Sequence, residues 1–233
     1  MNFNFLTDSL LKTAALSLGA ALILGACGGD KPAQLAQNAV EGRTIYETST
    51  DHALGNAEAT ITLVEYASVT CPHCANWSAT VFPDLRAKYI DTGKVRYVFR
   101  EFPTHSLSNA GHLLANCAPE DKFFDVLHVQ FMRMQEINTS SDIRGEFLKL
   151  AKSAGMNEAA FDACMVNETE IARLEAIRIG GENAGVTGTP TFFINGKKAP
   201  SGTFEIEDFD KIFAEMLGEP IPDAPAKSET TDH

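Results

Sequence analysis

Two cysteines separated by two residues, Cys71-Pro72-His73-Cys74, are where this 233-residue chain most clearly carries chemistry. Trp77, Val81, Phe82, Leu85 and Tyr89 follow at spacings of mostly three and four, so a helix is expected from the motif to about Ile90, kinked at Pro83. Cys71 then falls at a helix N-terminus, where unpaired N–H groups and the macrodipole favour negative charge. Its thiolate is stabilised and its pKa drops below the free-thiol value of about 8.5. Pro72 suits the first turn, where its missing N–H is not needed. His73 adds a potential cation and hydrogen-bond donor beside the sulfur. Each of these favours the reduced pair, which makes the corresponding disulfide an oxidant.

The competing use of such a pair is half of a zinc site. Zinc wants four ligands, usually two such pairs or a Cys pair with a His pair. The next cysteines, Cys117 and Cys164, stand alone 43 and 90 residues beyond Cys74, and His105 and His112 are seven apart. No metal is expected, and no cofactor beyond the redox-active disulfide itself.

The surrounding elements read as mixed α/β. Ala59 to Tyr66 is rich in β-branched residues and suits a buried strand, and Lys94 to Arg100 alternates as a second. Strand, helix and strand within about 40 residues make a βαβ unit, expected to be parallel and right-handed. A brief strand at Thr44-Ile45-Tyr46 and a turn at Leu54-Gly55-Asn56 precede it. Residues 104–185 carry helical spacing throughout, in segments Ser106–Ala118, Lys122–Gln135, Asp142–Ala154, Glu158–Val166 and Glu168–Gly185. Asp142 and Asn157 sit where N-caps belong, Gly155 and Gly185 where helices end. Thr189 to Ile194 is a third strand, Asn195-Gly196 a hairpin signal, and Lys197 opens a fourth strand. A last helix covers about Ile206 to Leu217. The Pro-rich polar residues 219–233 are expected to be a disordered tail.

The N-terminus reads as an export signal. Lys12 is followed by the uncharged run 13–26, shorter than the roughly 20 residues of a spanning helix. Leu24-Gly25-Ala26-Cys27 resembles a bacterial lipobox, in which Cys27 is lipidated; the alternatives are a signal peptide cut elsewhere or an uncleaved anchor. Residues 1–27 are thus the signal segment and 28–50 a polar linker. Export implies a compartment where disulfides persist, periplasmic and tethered to a membrane through the N-terminal lipid or signal anchor. The formal net charge of −12 disfavours nucleic acid and anionic membrane surfaces as partners. A hydrophobic fraction of 44% is enough to build a proper core.

Val64-Glu65-Tyr66-Ala67-Ser68-Val69-Thr70-Cys71-Pro72-His73-Cys74 closely resembles the active-site strand and turn of DsbA-like thiol–disulfide oxidoreductases. Gly188-Thr189-Pro190-Thr191-Phe192-Phe193-Ile194-Asn195-Gly196 resembles the cis-proline loop of the same family. The resemblance runs from about residue 50 to 218. It implies a thioredoxin fold over residues 51–218, with a helical insertion at about 104–185 between the βαβ half and the C-terminal ββα half. It implies Cys71 as nucleophile, Cys74 as buried resolving partner, and Pro72 and His73 as tuners of the potential. Pro190 would be cis, with the Thr189 backbone pairing to a bound client strand; the alternative is a trans proline opening a strand. Glu65 matches the family's buried acid, able to relay the proton of Cys74; the alternative is a solvated strand-end carboxylate. The bacterial oxidase of this family has a thiol pKa near about 3.5 and a potential near about −120 mV, values that belong to that protein.

Two departures stand out. Thr189 occupies a position where the best-known oxidase has Val, which leaves the direction of exchange open. Cys117 and Cys164 are absent from the simplest members; they are expected to form a structural disulfide within the insertion, or else to be two buried free thiols. The leading expectation is an oxidase that introduces disulfides into unfolded or reduced exported proteins, recharged by a quinone-linked membrane oxidase. The alternatives are a reductase or isomerase on the same fold, or a surface lipoprotein with a mainly structural role.

Overall fold

The computed structural model describes Thr48 and residues 50–222. The signal segment with Cys27, the expected strand at Thr44-Ile45-Tyr46, nearly all of the linker and the tail beyond Pro222 lie outside the described residues.

Five strands form one sheet in the order β1-β3-β2-β4-β5, where β1 is His52–Leu54, β2 Ile61–Ala67, β3 Val95–Glu101, β4 Thr191–Ile194 and β5 Lys197–Lys198. β2 and β3 run parallel, and the other neighbours antiparallel. β2 and β3 are buried on both faces, which explains their nearly continuous apolar character. β1 replaces the start of the expected turn. It is three residues long, too short to show an alternation, and exists because it pairs with Tyr97, Val98 and Phe99 of β3. Asn195 and Gly196, with φ of 44° and 75°, close the β4–β5 hairpin, as a two-residue loop with two positive φ angles requires.

The first helical stretch differs from its expectation. It is broken into α1 (Pro72–Thr80), the single turn α2 (Phe82–Leu85) and a π-helical turn at Arg86–Ile90. Pro83 has no N–H to continue the ladder of α1, and the chain restarts after Val81. The insertion comprises α3 (Ser106–Cys117), α4 (Phe123–Met132), α5 (Met134–Thr139), α6 (Ile143–Ser153), α7 (Glu158–Met165) and α8 (Glu168–Asn183). The single helix expected over 122–135 is divided at Arg133, whose guanidinium binds Glu136 and Glu146. The caps at Asp142 and Asn157 accept from Gly145 and Ala160 N–H, at 2.8 Å each. α9 (Ile206–Leu217) closes the fold and ends at Gly218 in the left-handed region.

Period-two alternation sorts the strands onto two faces. Ile61, Leu63, Val95, Tyr97 and Phe99 join the core beneath α1 and α9, with Trp77, Phe209 and Phe213. Val64, Tyr66, Val98 and Phe193 form the opposite face with Phe102 and Val186. Burying a side chain such as Phe209 stabilises by about 1.5–3 kcal/mol. On that second face α8 comes in close: a Cβ on Gly181 would stand 2.8 Å from the Tyr66 ring.

Polar groups fasten the insertion to the sheet. Buried Glu101 accepts from Arg173 at 2.9 Å and from Asn116 at 2.7 Å, and the Asn116 amide oxygen lies 2.9 Å from His52 Nε2. Burial raises the Glu101 pKa, but Arg173 outweighs it and holds the carboxyl below its ordinary range. The His52 ring stacks on Phe123 at 3.5 Å. Cys117 and Cys164 form a disulfide with Cα atoms 5.9 Å apart, joining α3 to α7. At the edge, Arg100 makes a two-point pair with Asp51 and donates to Tyr66 Oη at 3.0 Å, and Thr48 N–H donates to the same Asp51 carboxylate.

Candidate active site

Cys71 is the N-cap of α1. Its backbone is extended, with φ −87° and ψ 119°, and its sulfur accepts the Cys74 N–H at 3.3 Å. Pro72 holds the first helical position. The two thiols are free and unequal: Cys71 is half-buried and reachable, Cys74 fully buried. The Cys71 pKa is lowered to about 5. The hydrogen bond with the Cys74 thiol is the largest cause, opposed by burial and aided by the Thr189 side chain and the Cys74 and His73 backbone N–H groups. His73 contributes here through its backbone N–H, and the residue is exposed. Burial pushes the Cys74 thiol far above its ordinary value, and the Cys71 bond and the Glu65 charge push the same way. One sulfur is therefore an anion at neutral pH and the other a protonated thiol, the asymmetry that separates a nucleophile from a resolving group.

The Thr189–Pro190 peptide is cis, and the Thr189 carbonyl lies 3.2 Å from Cys71 Sγ. β4 begins at Thr191, so among the described residues the backbone of Thr189 lies next to the sulfur without a strand partner.

Glu65 is 2% exposed on β2, on the face that carries α1. Its pKa is raised to about 8, first by burial and then by the Cys71 charge, against a hydrogen bond from Tyr97 Oη at 2.5 Å. Trp77 is buried against Tyr97, Phe192, Phe82 and Phe209. Among the described residues, no group of three or more His, Cys, Asp or Glu is placed to hold a metal ion.

Sequence reasoning passed over two residues. Tyr97 reads as an alternating strand residue, yet its parity with Glu65 in the β2–β3 register is the signal that could have paired them. His105, which has no informative spacing, lies with Nε2 3.1 Å from the Thr70 hydroxyl, joining the N-cap of α3 to the residue before Cys71.

A five-stranded mixed sheet, a helix capped by the first of two closely spaced cysteines, a facing cis-proline and an intervening helical block define a thioredoxin-fold protein of the DsbA-like kind. The sequence pattern of the family described as Thioredoxin matches residues 47–213, and the chain belongs to that family. It is 33% identical over 175 residues to a Rickettsia conorii protein named as a protein-disulfide oxidoreductase. That match covers 72% of this chain and 61% of the relative, so the chain spans about three fifths of that protein's length. The crystal structure of Wolbachia pipientis alpha-DsbA1 superposes with a TM-score of 0.66 at 26% identity, covering 75% of this chain and 94% of that one. A structure described as protein-disulfide isomerase from Novosphingobium aromaticivorans gives 0.64 at 25% identity, covering 71% and 97%.

Proposed function

We propose that this chain is an exported thiol–disulfide oxidoreductase that introduces disulfides into other exported proteins by exchange through Cys71 and Cys74. The observation that carries this reading is the stabilised, reachable Cys71 sulfur at the helix N-cap. A good thiolate is a good leaving group and a stable product, so the Cys71–Cys74 disulfide gives up its bond readily. In the forward direction a client thiolate attacks Cys71 Sγ, the Cys71–Cys74 bond breaks, and Cys74 leaves with the electron pair and takes a proton. A second client thiolate then attacks the client sulfur of the mixed disulfide and releases Cys71 as thiolate. The Thr189 backbone, outside the strand ladder and next to the sulfur, supports binding of an extended client segment there.

A quinone-linked membrane oxidase would re-form the disulfide. Tethering through lipidated Cys27 in the periplasm is supported by the apolar run 13–26 and the lipobox-like Leu24-Gly25-Ala26-Cys27. Incorporation of labelled fatty acid, abolished by Cys27→Ala, is the expected result; label retained in that variant removes the tether.

The deciding measurement is the equilibrium of the Cys71–Cys74 pair against glutathione, followed by Trp77 fluorescence. An oxidase is expected near the strongly oxidising end, about −120 mV, whereas a value near the thioredoxin figure of about −270 mV would make the chain a reductase. Isomerisation is the second reading, favoured by the name of the Novosphingobium structure; it predicts faster recovery of a scrambled client than of a reduced one.

A further inference from the structure

The buried Glu65 carboxyl has a neighbour that the exchange scheme does not yet use. Leu63 lies opposite Tyr97 in the parallel β2–β3 register, and Glu65 lies two residues further along β2. Equal parity puts both side chains on the face beneath α1, and the diagonal separation of about 7–8 Å is one a tyrosine can span. Its hydroxyl reaches Glu65 Oε2 at 2.5 Å. The ring has little freedom to leave: it is buried and packed against Phe82 at 4.9 Å, Phe124 at 6.2 Å and Trp77 at 6.5 Å. Among the described residues no Lys or Arg pairs with Glu65, and Tyr97 is its sole side-chain hydrogen-bond partner. The titratable groups facing the carboxyl are Cys71 and Cys74 from α1 and Tyr97 from β3, while β4 presents Phe192 opposite Glu65 and α9 presents Phe209 to that ring.

We infer that Tyr97 is a positioning residue for the exchange reaction: its hydroxyl fixes the Glu65 carboxyl near Cys74 and supplies the hydrogen bond that lets this acid exist as a carboxylate. The inference rests on the oxidoreductase reading above. A carboxyl buried without a donor keeps its proton to higher pH and is a poorer acceptor at neutral pH. Turnover needs both directions. When the reduced protein meets a small disulfide such as oxidised glutathione, the Cys71 thiolate attacks one sulfur and releases a glutathione thiolate, leaving a mixed disulfide on Cys71. The Glu65 carboxylate then takes the proton of the Cys74 thiol. Cys74 attacks Cys71 Sγ, and the second glutathione leaves with the electron pair and is protonated by solvent. In the reverse direction the carboxylic acid returns that proton to Cys74. Tyr97 keeps its own proton throughout, since burial, Glu65 and Cys74 all raise its pKa.

The test is the rate at which the mixed disulfide resolves, measured across pH 5–9 on reduced full-length protein mixed with oxidised glutathione. In the wild type the rate is expected to rise with pH through a single ionisation that Glu65→Gln abolishes. Tyr97→Phe is expected to move that midpoint upward, slowing resolution at neutral pH at least tenfold, roughly one pH unit. The Cys71 thiolate titration, followed by ultraviolet absorbance, should stay in place. The double variant should match Glu65→Gln alone. An unmoved midpoint in Tyr97→Phe, or additive losses in the double variant, overturns the inference. Should Tyr97→Phe fail to fold, the infrared carboxyl band lost in Glu65→Gln serves instead: its titration in the wild type must coincide with the rate midpoint, and a mismatch refutes the role. A weakly oxidising potential would remove the oxidase reading while leaving the Tyr97 result readable, so the two fail separately.

Discussion

Cys71 and Cys74 are separated by two residues and stand as free thiols, whereas Cys117 and Cys164 are 47 positions apart and joined. The first pair sits at the start of a helix, with backbone N–H groups aimed at one sulfur and a cis-proline loop across from it. The second links two helices of the insertion and is packed beside Leu113 and Leu174. The same two atoms thus serve opposite ends. Access and a nearby positive potential make a sulfur exchange partners; apolar packing makes the bond a strut. The comparison extends to one buried titratable group in each region. Glu65 beneath the first pair is an acid kept neutral, and His112, on the helix that ends at Cys117, is a base kept neutral.

The sharpest way to break this comparison is to remove one sulfur from each pair. Cys71→Ala is expected to abolish client oxidation, measured by loss of client thiols, and Cys74→Ala to trap client mixed disulfides visible on non-reducing gels. Turnover surviving in Cys71→Ala would dissolve the distinction.

Next in size is the pH dependence of the reduced protein's stability at Glu65. Its folded pKa of about 8 exceeds the ordinary value of 4.5, so the folded state binds the proton more tightly. Stability is full below 4.5 and is lost progressively up to about pH 8. Glu65→Gln should be the more stable protein at pH 8, by at most about 5 kcal/mol, and the gap should close at pH 4. Denaturant unfolding at the two pH values measures it; a pH-independent gap would mean Glu65 is not the group responsible.

Replacing Cys117 and Cys164 together by alanine should lower stability by about 2–5 kcal/mol while leaving the Cys71–Cys74 potential unchanged. A shifted potential would show that the strut and the reacting pair are one system.

His112 gives the smallest effect, of opposite sign in pH. Burial lowers its pKa from 6.5 to about 4 and Arg173 acts the same way, against the attraction of Glu101. The unfolded state therefore binds the extra proton, and stability falls as pH drops from 6.5 towards 4. Both ring nitrogens lack partners among the described residues, so His112→Leu should remove that acid loss, at most about 3 kcal/mol, with little change at pH 8. Unfolding curves at pH 4.5 that are the same with and without the substitution would rule this out.

What could be read from the residues follows the range of the interaction. The helix start at Cys71, the caps at Asp142 and Asn157 and the hairpin at Asn195-Gly196 are local, set by neighbours a few positions away, and all are present. β1 and the Tyr97–Glu65 bond depend on register across 32 or more residues, which spacing within one segment does not encode. His73 adds a contribution that residue type does not announce: placed in the first turn of α1, it serves the thiolate through its backbone N–H, whatever its side chain. The break at Pro83 was visible as a kink, but a missing N–H alone does not say that the following turn will widen into a π-helix.

The Asp51–Arg100 pair has a practical bearing. Since β1 runs against β3, with His52 opposite Phe99, the chain enters the fold at the end of the sheet where β2 leads on to Cys71. A bulky group attached at Thr48 itself would therefore stand at the end of the sheet that an incoming protein must approach, and spacer length would decide how large a partner can be admitted.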